Sequence, residues 1–429
     1  MRQENPDRRQ FLKAAGSAAL TSATVAGNIR GANDRVNLGF IGVGRMGTGN
    51  IGFAAQVPGF EIVSLCDVYQ PTLDAAVKKA KGLGYTGVKA QRDFREVLAD
   101  KSIDAVSIAT PDHWHAYMAI EALKAGKDVW VERPACVYVE EGIRMIQAAR
   151  RYGSVVEGGA FERSGTLFRQ ARTILQRGDL GDITFCDAFH TRPPTIRGYG
   201  NPPDSDPPPG LDWDMWLGPA PRRPFNANRW SAFRCFWDYA GGAMTDWGVH
   251  LLDVVQFAFD ETMPVRVEAQ GGKFYVTDNT ETPDTMLATY RYPGFIGSCR
   301  SRTANPYPAC GDICGTAFHG TEATLMVNRA GYAIYPNKKG AAQKVERNSE
   351  WEDINVLHWK DFQESIRLRH KPAGDIESCV RSTTTCLLAN LALRHNMALD
   401  WDAGAWTVKQ AEVRPFLKAQ YRAPWKLEV

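Results

Sequence analysis

At 429 residues the chain exceeds the size at which one hydrophobic core keeps growing, and its 44% hydrophobic content excludes wholesale disorder, so two domains are the expected organisation. Its 51 basic and 48 acidic residues leave a net charge of +3, and this excess sits in the first 33 residues, where Arg2, Arg8, Arg9, Lys13 and Arg30 face only Glu4 and Asp7. Setting aside those five bases and two acids leaves 46 of each sign, which removes the electrostatic case for a nucleic-acid partner.

The N-terminal run Asp7-Arg8-Arg9-Gln10-Phe11-Leu12-Lys13, followed by the small, mildly apolar stretch from Ala14 to Gly27, reads as a twin-arginine export signal. It implies the export machinery as a partner, cleavage near Ala26, and a periplasmic or otherwise exported protein. The apolar stretch falls short of the roughly 20 residues a spanning helix needs. Residues 1–33 are therefore set apart from the fold. The nine cysteines are odd in number and scattered, which argues against a disulfide framework. Cys310 and Cys314 have no second Cys/His pair nearby to complete a tetrahedral site, so no metal is expected.

From Val36 the chain alternates β-rich apolar runs with amphipathic stretches: Val36 to Ile41 then Gly47 to Ala55, Glu61 to Cys66 then Pro71 to Leu83, and Ala105 to Ala109 then His115 to Ala125. A short strand at Val129 to Val131, a helix from Glu140 to Arg151 and a strand at Val155-Val156 continue the order. Repeated βα units predict a parallel, doubly wound sheet over residues 34–158. After Gly159 the texture changes. A helix from Leu167 to Arg177 and a strand from Ile183 to His190 lead into a proline- and aromatic-rich segment, Arg192 to Tyr239, expected to lie ordered against the pocket. A helix near Ala243 to Phe259 precedes runs that predict an open, mostly antiparallel sheet, from Val265 to Tyr335. Residues 159–429 thus form an α+β second domain, and its late helices, Asn355 to Arg369 and Ile376 to Asn396, pack on its own sheet or return to the first domain.

Gly42-Val43-Gly44-Arg45-Met46-Gly47 directly follows the first strand and opens a helix, the context in which a GxGxxG run becomes a dinucleotide loop. Gly42 permits the tight turn, Gly44 lets the backbone approach a pyrophosphate, and Gly47 lets helix and strand pack closely. Arg45 and Met46 complete the loop. Asp67, about 20 residues beyond, ends the second strand. A carboxylate there accepts the adenine-ribose hydroxyls and repels a 2′-phosphate, so NAD is expected over NADP.

These residues carry a resemblance to the glucose-fructose oxidoreductase and inositol dehydrogenase (Gfo/Idh/MocA) family over nearly the whole mature chain. The matching landmarks are the glycine loop, Thr110-Pro111-Asp112-His113-Trp114-His115, Ala125-Gly126-Lys127, Glu132-Arg133-Pro134, Gly241-Gly242 and Asp246-Trp247-Gly248-Val249-His250. Trp213-Asp214-Met215-Trp216-Leu217-Gly218-Pro219 resembles an exported bacterial subgroup. The resemblance implies that Thr110, Pro111 and His115 line the nicotinamide half of the site, with Glu132 near its ribose. It also implies a catalytic lysine where this chain has Arg133. An arginine polarises an oxygen but does not shuttle a proton, since its pKa lies above about 12. Asp246 and His250, four apart on a predicted helix, share one face, which makes His250 the expected general base and Asp246 its orienter or a substrate ligand. Arg163 and His190 are further substrate-contact candidates. Trp230 and Tyr239, from the aromatic segment, are candidate platforms for a sugar.

Free NAD is not expected outside the cytoplasm, so export implies a tightly bound NAD restored within each cycle. Two reactions meet that condition: oxidation of a sugar or glycoside hydroxyl with re-oxidation by a second carbonyl compound, and NAD-dependent glycoside cleavage by transient oxidation and elimination. A non-catalytic NAD-binding protein is the third reading. By analogy with the family, the broad second-domain sheet is expected to pair copies into a homo-oligomer.

Overall fold

The computed structural model describes residues 35–191, 197–305, 307–308, 312–347 and 353–429; the run expected from the sequence to act as an export signal and Cys310 lie outside them. Six parallel strands, β1 (Val36–Ile41), β2 (Phe60–Cys66), β3 (Lys89–Gln91), β4 (Ala105–Ile108), β5 (Asp128–Val131) and β6 (Val156–Gly158), form a sheet in the order β3-β2-β1-β4-β5-β6. The order reverses between β1 and β4, and it is at the carboxyl ends of strands flanking such a switch point that open α/β sheets bind ligands. The short β3 and the helix Phe94–Ala99 that follows carry too few residues to show a period in the sequence.

The second sheet runs β14-β13-β12-β11-β7-β10-β9-β8-β15-β16 among the described residues, with β7 at Ile183–Thr191, β8 at Arg266–Gly272, β9 at Thr285–Arg291, β10 at Ile296–Arg302, β11 at Cys314–Gly320, β12 at Ala323–Asn328, β13 at Gly331–Pro336, β14 at Lys344–Arg347, β15 at Leu399–Asp402 and β16 at Thr407–Val408. It is antiparallel except where β10 lies parallel to β7. The segment before Tyr239 folds into two short helices, Trp213–Leu217 and Ala227–Ser231, around a cluster of Trp216, Phe225, Phe236 and Tyr239. The predicted helix from Ala243 opens instead with a π turn, Met244–Gly248, before the α-helix Val249–Ala258.

The late helices knit the two sheets together. Trp359, on the helix Ile354–Leu368, stacks on Trp130 of β5 with ring centroids 4.1 Å apart and planes 9° apart, and Phe40, Phe60 and Phe362 pack around the pair. The helix Ile376–His395 is buried on nearly every side, as a helix running through a core must be, and touches the helices Val139–Tyr152 and Val249–Ala258 as well as β8. Cys66, Cys136, Cys186, Cys299, Cys379 and Cys386 are buried free thiols; no disulfide, no metal-binding cluster and no helix long and apolar enough to cross a membrane occurs among the described residues.

The C-terminal tail closes over the first domain. Tyr421 donates its hydroxyl to Glu141 Oε1 at 2.6 Å, while Glu141 Oε2 accepts the amides of Val137 and Tyr138. Burial pushes the Glu141 carboxyl up to about 7, against the pull of those three hydrogen bonds. Because the folded value lies above the ordinary 4.5, the stability it contributes is full below pH 4.5 and is lost as the pH rises through 7, up to roughly 3 kcal/mol. Glu141→Gln, neutral throughout, is expected to lose less stability than the parent between pH 5 and pH 8 (roughly the titration window) when urea midpoints are compared; parallel pH profiles would contradict this.

Candidate active site

A cleft of about 770 Å³ runs between the domains, within the roughly 300–1,000 Å³ usual for small-molecule sites. Its walls bring together the carboxyl ends of β1, β2 and β4, the aromatic segment and the π turn.

At one end lies the glycine loop. Gly42 sits at φ +79°, the left-handed region that glycine alone enters without strain. A Cβ on Gly47 would stand 1.9 Å from the Gly42 carbonyl oxygen, so only glycine lets the helix Arg45–Ala54 start so close to β1. A Cβ on Gly44 would meet no protein atom within 4 Å, because Gly44 faces the cleft. Asp67 Oδ2 accepts the Val43 amide at 3.0 Å and Oδ1 accepts the Tyr69 amide at 2.9 Å, which fixes the carboxyl at the cleft wall. Burial pushes that carboxyl above its ordinary range, opposed by these amides and Arg92. An open glycine cradle with a carboxylate one strand away is the donor and acceptor set a dinucleotide requires.

At the other end Arg133 is the hub. It follows β5 in a loop held by a cis Arg133–Pro134 bond and by the Ala135 amide, which donates to Thr383 Oγ1 at 3.1 Å. Arg133 Nε donates to His250 Nε2 at 2.8 Å, and its Nη1 lies 3.4 Å from Asp246 Oδ1. Since Nε2 accepts, the His250 proton sits on Nδ1, 3.1 Å from Glu162 Oε2. Glu162 Oε1 in turn accepts from Arg329 Nε and Nη2 at 3.0 and 2.8 Å. Burial pushes the His250 imidazole down, and Arg133 and Arg329 act in the same direction against Glu162, so the ring is held neutral. Burial alone would raise the Glu162 carboxyl, but His250 and Arg329 hold it well below its ordinary range.

The remaining predicted residues divide. Arg45, Met46, Thr110, Pro111 and Trp230 line the cleft, Trp230 edge-on against Tyr69 beside Asp67. His115 is buried behind it, its two ring nitrogens 2.7 and 2.9 Å from the carbonyl oxygens of Pro134 and Thr110, so it ties the two loops together. Glu132 is also buried, and its Oε1 accepts from Asn50 Nδ2 at 3.0 Å. Arg163 does not reach the cleft: it is 3% exposed and its guanidinium is consumed by Asp253 and Glu261. Tyr239 is fully buried under Trp216, a core residue of the aromatic cluster and not a platform. His190 is buried as well, stacked 4.4 Å beneath Trp247, and it is Trp247 that lines the cleft. Sequence reasoning passed over Glu162, Arg234, Arg329 and Trp247. Glu162 adjoins the predicted Arg163, and Trp247 sits inside the Asp246–His250 motif; Arg234 lies in a short 3-10 turn, Phe233–Cys235, and Arg329 in a hairpin turn, neither with a local signature.

Residues 36–159 match the model of an oxidoreductase family with an NAD-binding Rossmann fold, and residues 196–292 match that family's C-terminal alpha/beta domain. An alpha-N-acetylgalactosaminidase of Shewanella oneidensis is 35% identical over 174 residues, which cover 34% of this chain and 38% of that protein's length. An aldose-aldose oxidoreductase from Caulobacter crescentus, solved with glycerol, superposes with a TM-score of 0.66 at 16% identity over 86% of this chain and 100% of its own. The scyllo-inositol dehydrogenase of Lactobacillus casei, solved with NAD(H) and scyllo-inositol, gives 0.62 at 19% identity over 85% and 98%. At these identities the structures show a shared fold.

The two glycines separate binding from folding. Gly44→Ala is expected to leave the melting temperature unchanged while weakening NAD binding by at least about tenfold, because its methyl would intrude only on the ligand. Gly47→Ala is expected to lower both. Calorimetry with thermal melts checks this; a Gly44→Ala protein that binds NAD normally would remove the loop from the site.

Proposed function

Because the chain belongs to the Gfo/Idh/MocA oxidoreductase family, we propose that it is an NAD(H)-dependent oxidoreductase acting on a carbohydrate hydroxyl, with its NAD held tightly and restored within each catalytic cycle. The observation that carries this reading is the single cleft joining Gly44 and Asp67 at one end to Arg133 and Asp246 at the other. NAD, when bound, supplies the hydride acceptor and donor.

The protein's own residues do the rest. The amides that open the helix Arg45–Ala54 receive the pyrophosphate, and Asp67 receives the adenine ribose. Arg133 points its fixed charge at the substrate oxygen and stabilises negative charge there as the hydroxyl proton leaves. That proton goes to the Asp246 carboxylate. His250 is 4% exposed and its Nε2 is already occupied by Arg133, so its role here is to aim the guanidinium, with Glu162 fixing its tautomer. A second carbonyl compound takes the hydride back and returns the site to its starting state.

Likeness to the Shewanella enzyme favours a second reading, glycoside cleavage by transient oxidation and elimination. Incubating the purified protein with sugars and aryl glycosides, while following reduced-nicotinamide absorbance and released aglycone, tells the two apart. Absorbance without aglycone is expected. Asp246→Asn should lower turnover by roughly 10²–10⁴-fold with little change in NAD binding; undiminished turnover would refute its role.

The same proposal includes export through the Arg8-Arg9 signal, which is why the cofactor must travel with the protein, and pairing of copies through the outer face of the second sheet, where Leu287 and Ile296 are exposed. Replacing both arginines by lysine is expected to retain the protein in the cytoplasm on fractionation. Continued appearance outside would contradict the signal.

A further inference from the structure

Among the described residues, six charged side chains line the cleft: Arg45 and Asp67 at the nucleotide end, Asp284, and Arg133, Arg234 and Asp246 at the reacting end. Asp284 is committed to the backbone, since Oδ2 accepts the amides of Tyr275 and Val276, both at 2.8 Å. The reacting end therefore presents two guanidiniums to one carboxylate. Arg133 Nη1 and Arg234 Nε lie 3.4 and 3.2 Å from the same oxygen, Asp246 Oδ1, and neither of those two nitrogens makes a hydrogen bond in the protein. Two like charges so arranged lie well inside the roughly 8 Å Debye length of physiological salt. Asp112 and Glu132 offset part of that charge from within the protein, but among the described residues no second carboxylate faces the cleft beside the two arginines. Those two acids stand behind its wall. Glu132 is 3% exposed, and Asp112 is 1% exposed, both its oxygens lacking a hydrogen-bond partner. Arg234 is the more open of the two cations, its side chain 32% exposed against 16% for Arg133, so an incoming ligand meets it directly.

We infer that the open Arg234 guanidinium receives an anion of the substrate, and that the reacting end of the cleft takes a sugar acid of the uronate type, its carboxylate gripped by Arg234 across from Arg133. This rests on the oxidoreductase reading above and names its substrate class. A planar guanidinium with unused N–H groups matches a carboxylate through two parallel hydrogen bonds, a geometry an ammonium does not offer. Trp247 adjoins Asp246 on the same wall, held rigid by stacking on His190 and by the Arg329 guanidinium 5.6 Å from its ring centre, so its indole forms a fixed apolar boundary of the sugar pocket.

The test is binding of D-glucuronate and D-galacturonate against D-glucose and D-galactose to the full NAD-loaded protein, read by tryptophan fluorescence, with reduced-nicotinamide absorbance followed in parallel. The hexuronates are expected to bind at least about tenfold tighter than the matching hexoses, the advantage shrinking as salt rises. Arg234→Met should erase the advantage and Arg234→Lys should restore only part of it, which also shows that the site still folds. Hexoses binding as tightly as hexuronates, an advantage that survives Arg234→Met, or glucose 6-phosphate binding more tightly than glucuronate would each overturn the assignment. If hexoses reduce the bound nicotinamide and hexuronates neither bind nor react, the substrate class falls while the oxidoreductase reading stands. If hexuronates bind through Arg234 without any reduction, the carboxylate site stands and the oxidoreductase reading falls.

Discussion

Arg133 reaches out of the loop after β5 and meets, with one side chain, two residues of the other domain: His250 through Nε and Asp246 through Nη1. A guanidinium only donates hydrogen bonds, so both partners must adapt to it. His250 does so by placing its proton on the far nitrogen, where Glu162 waits, and Glu162 stays ionised because Arg329 grips its other oxygen. The chain of contacts spans the glycine-loop domain, the π turn and the β12–β13 hairpin. The π turn at Met244–Gly248 belongs to this arrangement, since such a bulge resets where successive side chains emerge, and here Asp246 and His250 reach one cation from successive turns.

The same economy of contacts governs the aromatic segment. Gly218 sits at φ +48° with Trp114 so close that a Cβ would fall 2.0 Å from its ring. Trp114 Nε1 and His113 Nε2 both lie on the Trp216 carbonyl oxygen, at 2.9 and 3.1 Å. Trp425 of the tail packs edge-on against Trp114 from the other side, and Arg422 holds the Gly218 carbonyl and Asp214. The wall of the cleft is thus clamped from two directions by rings with little conformational freedom to lose.

Much of this was legible in the residues. The glycine loop, Asp67 and the βα alternation each follow from a local requirement: a left-handed turn, a close helix start, a period of two against one of 3.6. The Asp246–His250 pair was legible because spacing on one element brings it to one face, and Arg133 because Glu132-Arg133-Pro134 stands where the family resemblance implies a lysine. What was not legible depends on contacts between distant segments. Arg163 and Glu162 are neighbours in sequence, and only the packing of Asp253 and Glu261 decides that the arginine turns inward. Tyr239 and His190 carry the right chemistry for a sugar site, but each lies one layer behind the ring that faces the cleft. Short strands such as β3 are assigned by pairing alone.

The stacking of Trp359 on Trp130 has a temporal side. The sheet that carries the glycine loop is complete by Gly158, yet one of its faces is covered by a helix that begins at Ile354, and a neighbouring helix is packed by one that ends at His395. A chain made from its N-terminus therefore emerges with that apolar face uncovered until most of its length has left the ribosome. The apolar surface around Phe40, Phe60 and Trp130 is thus encoded first and covered last.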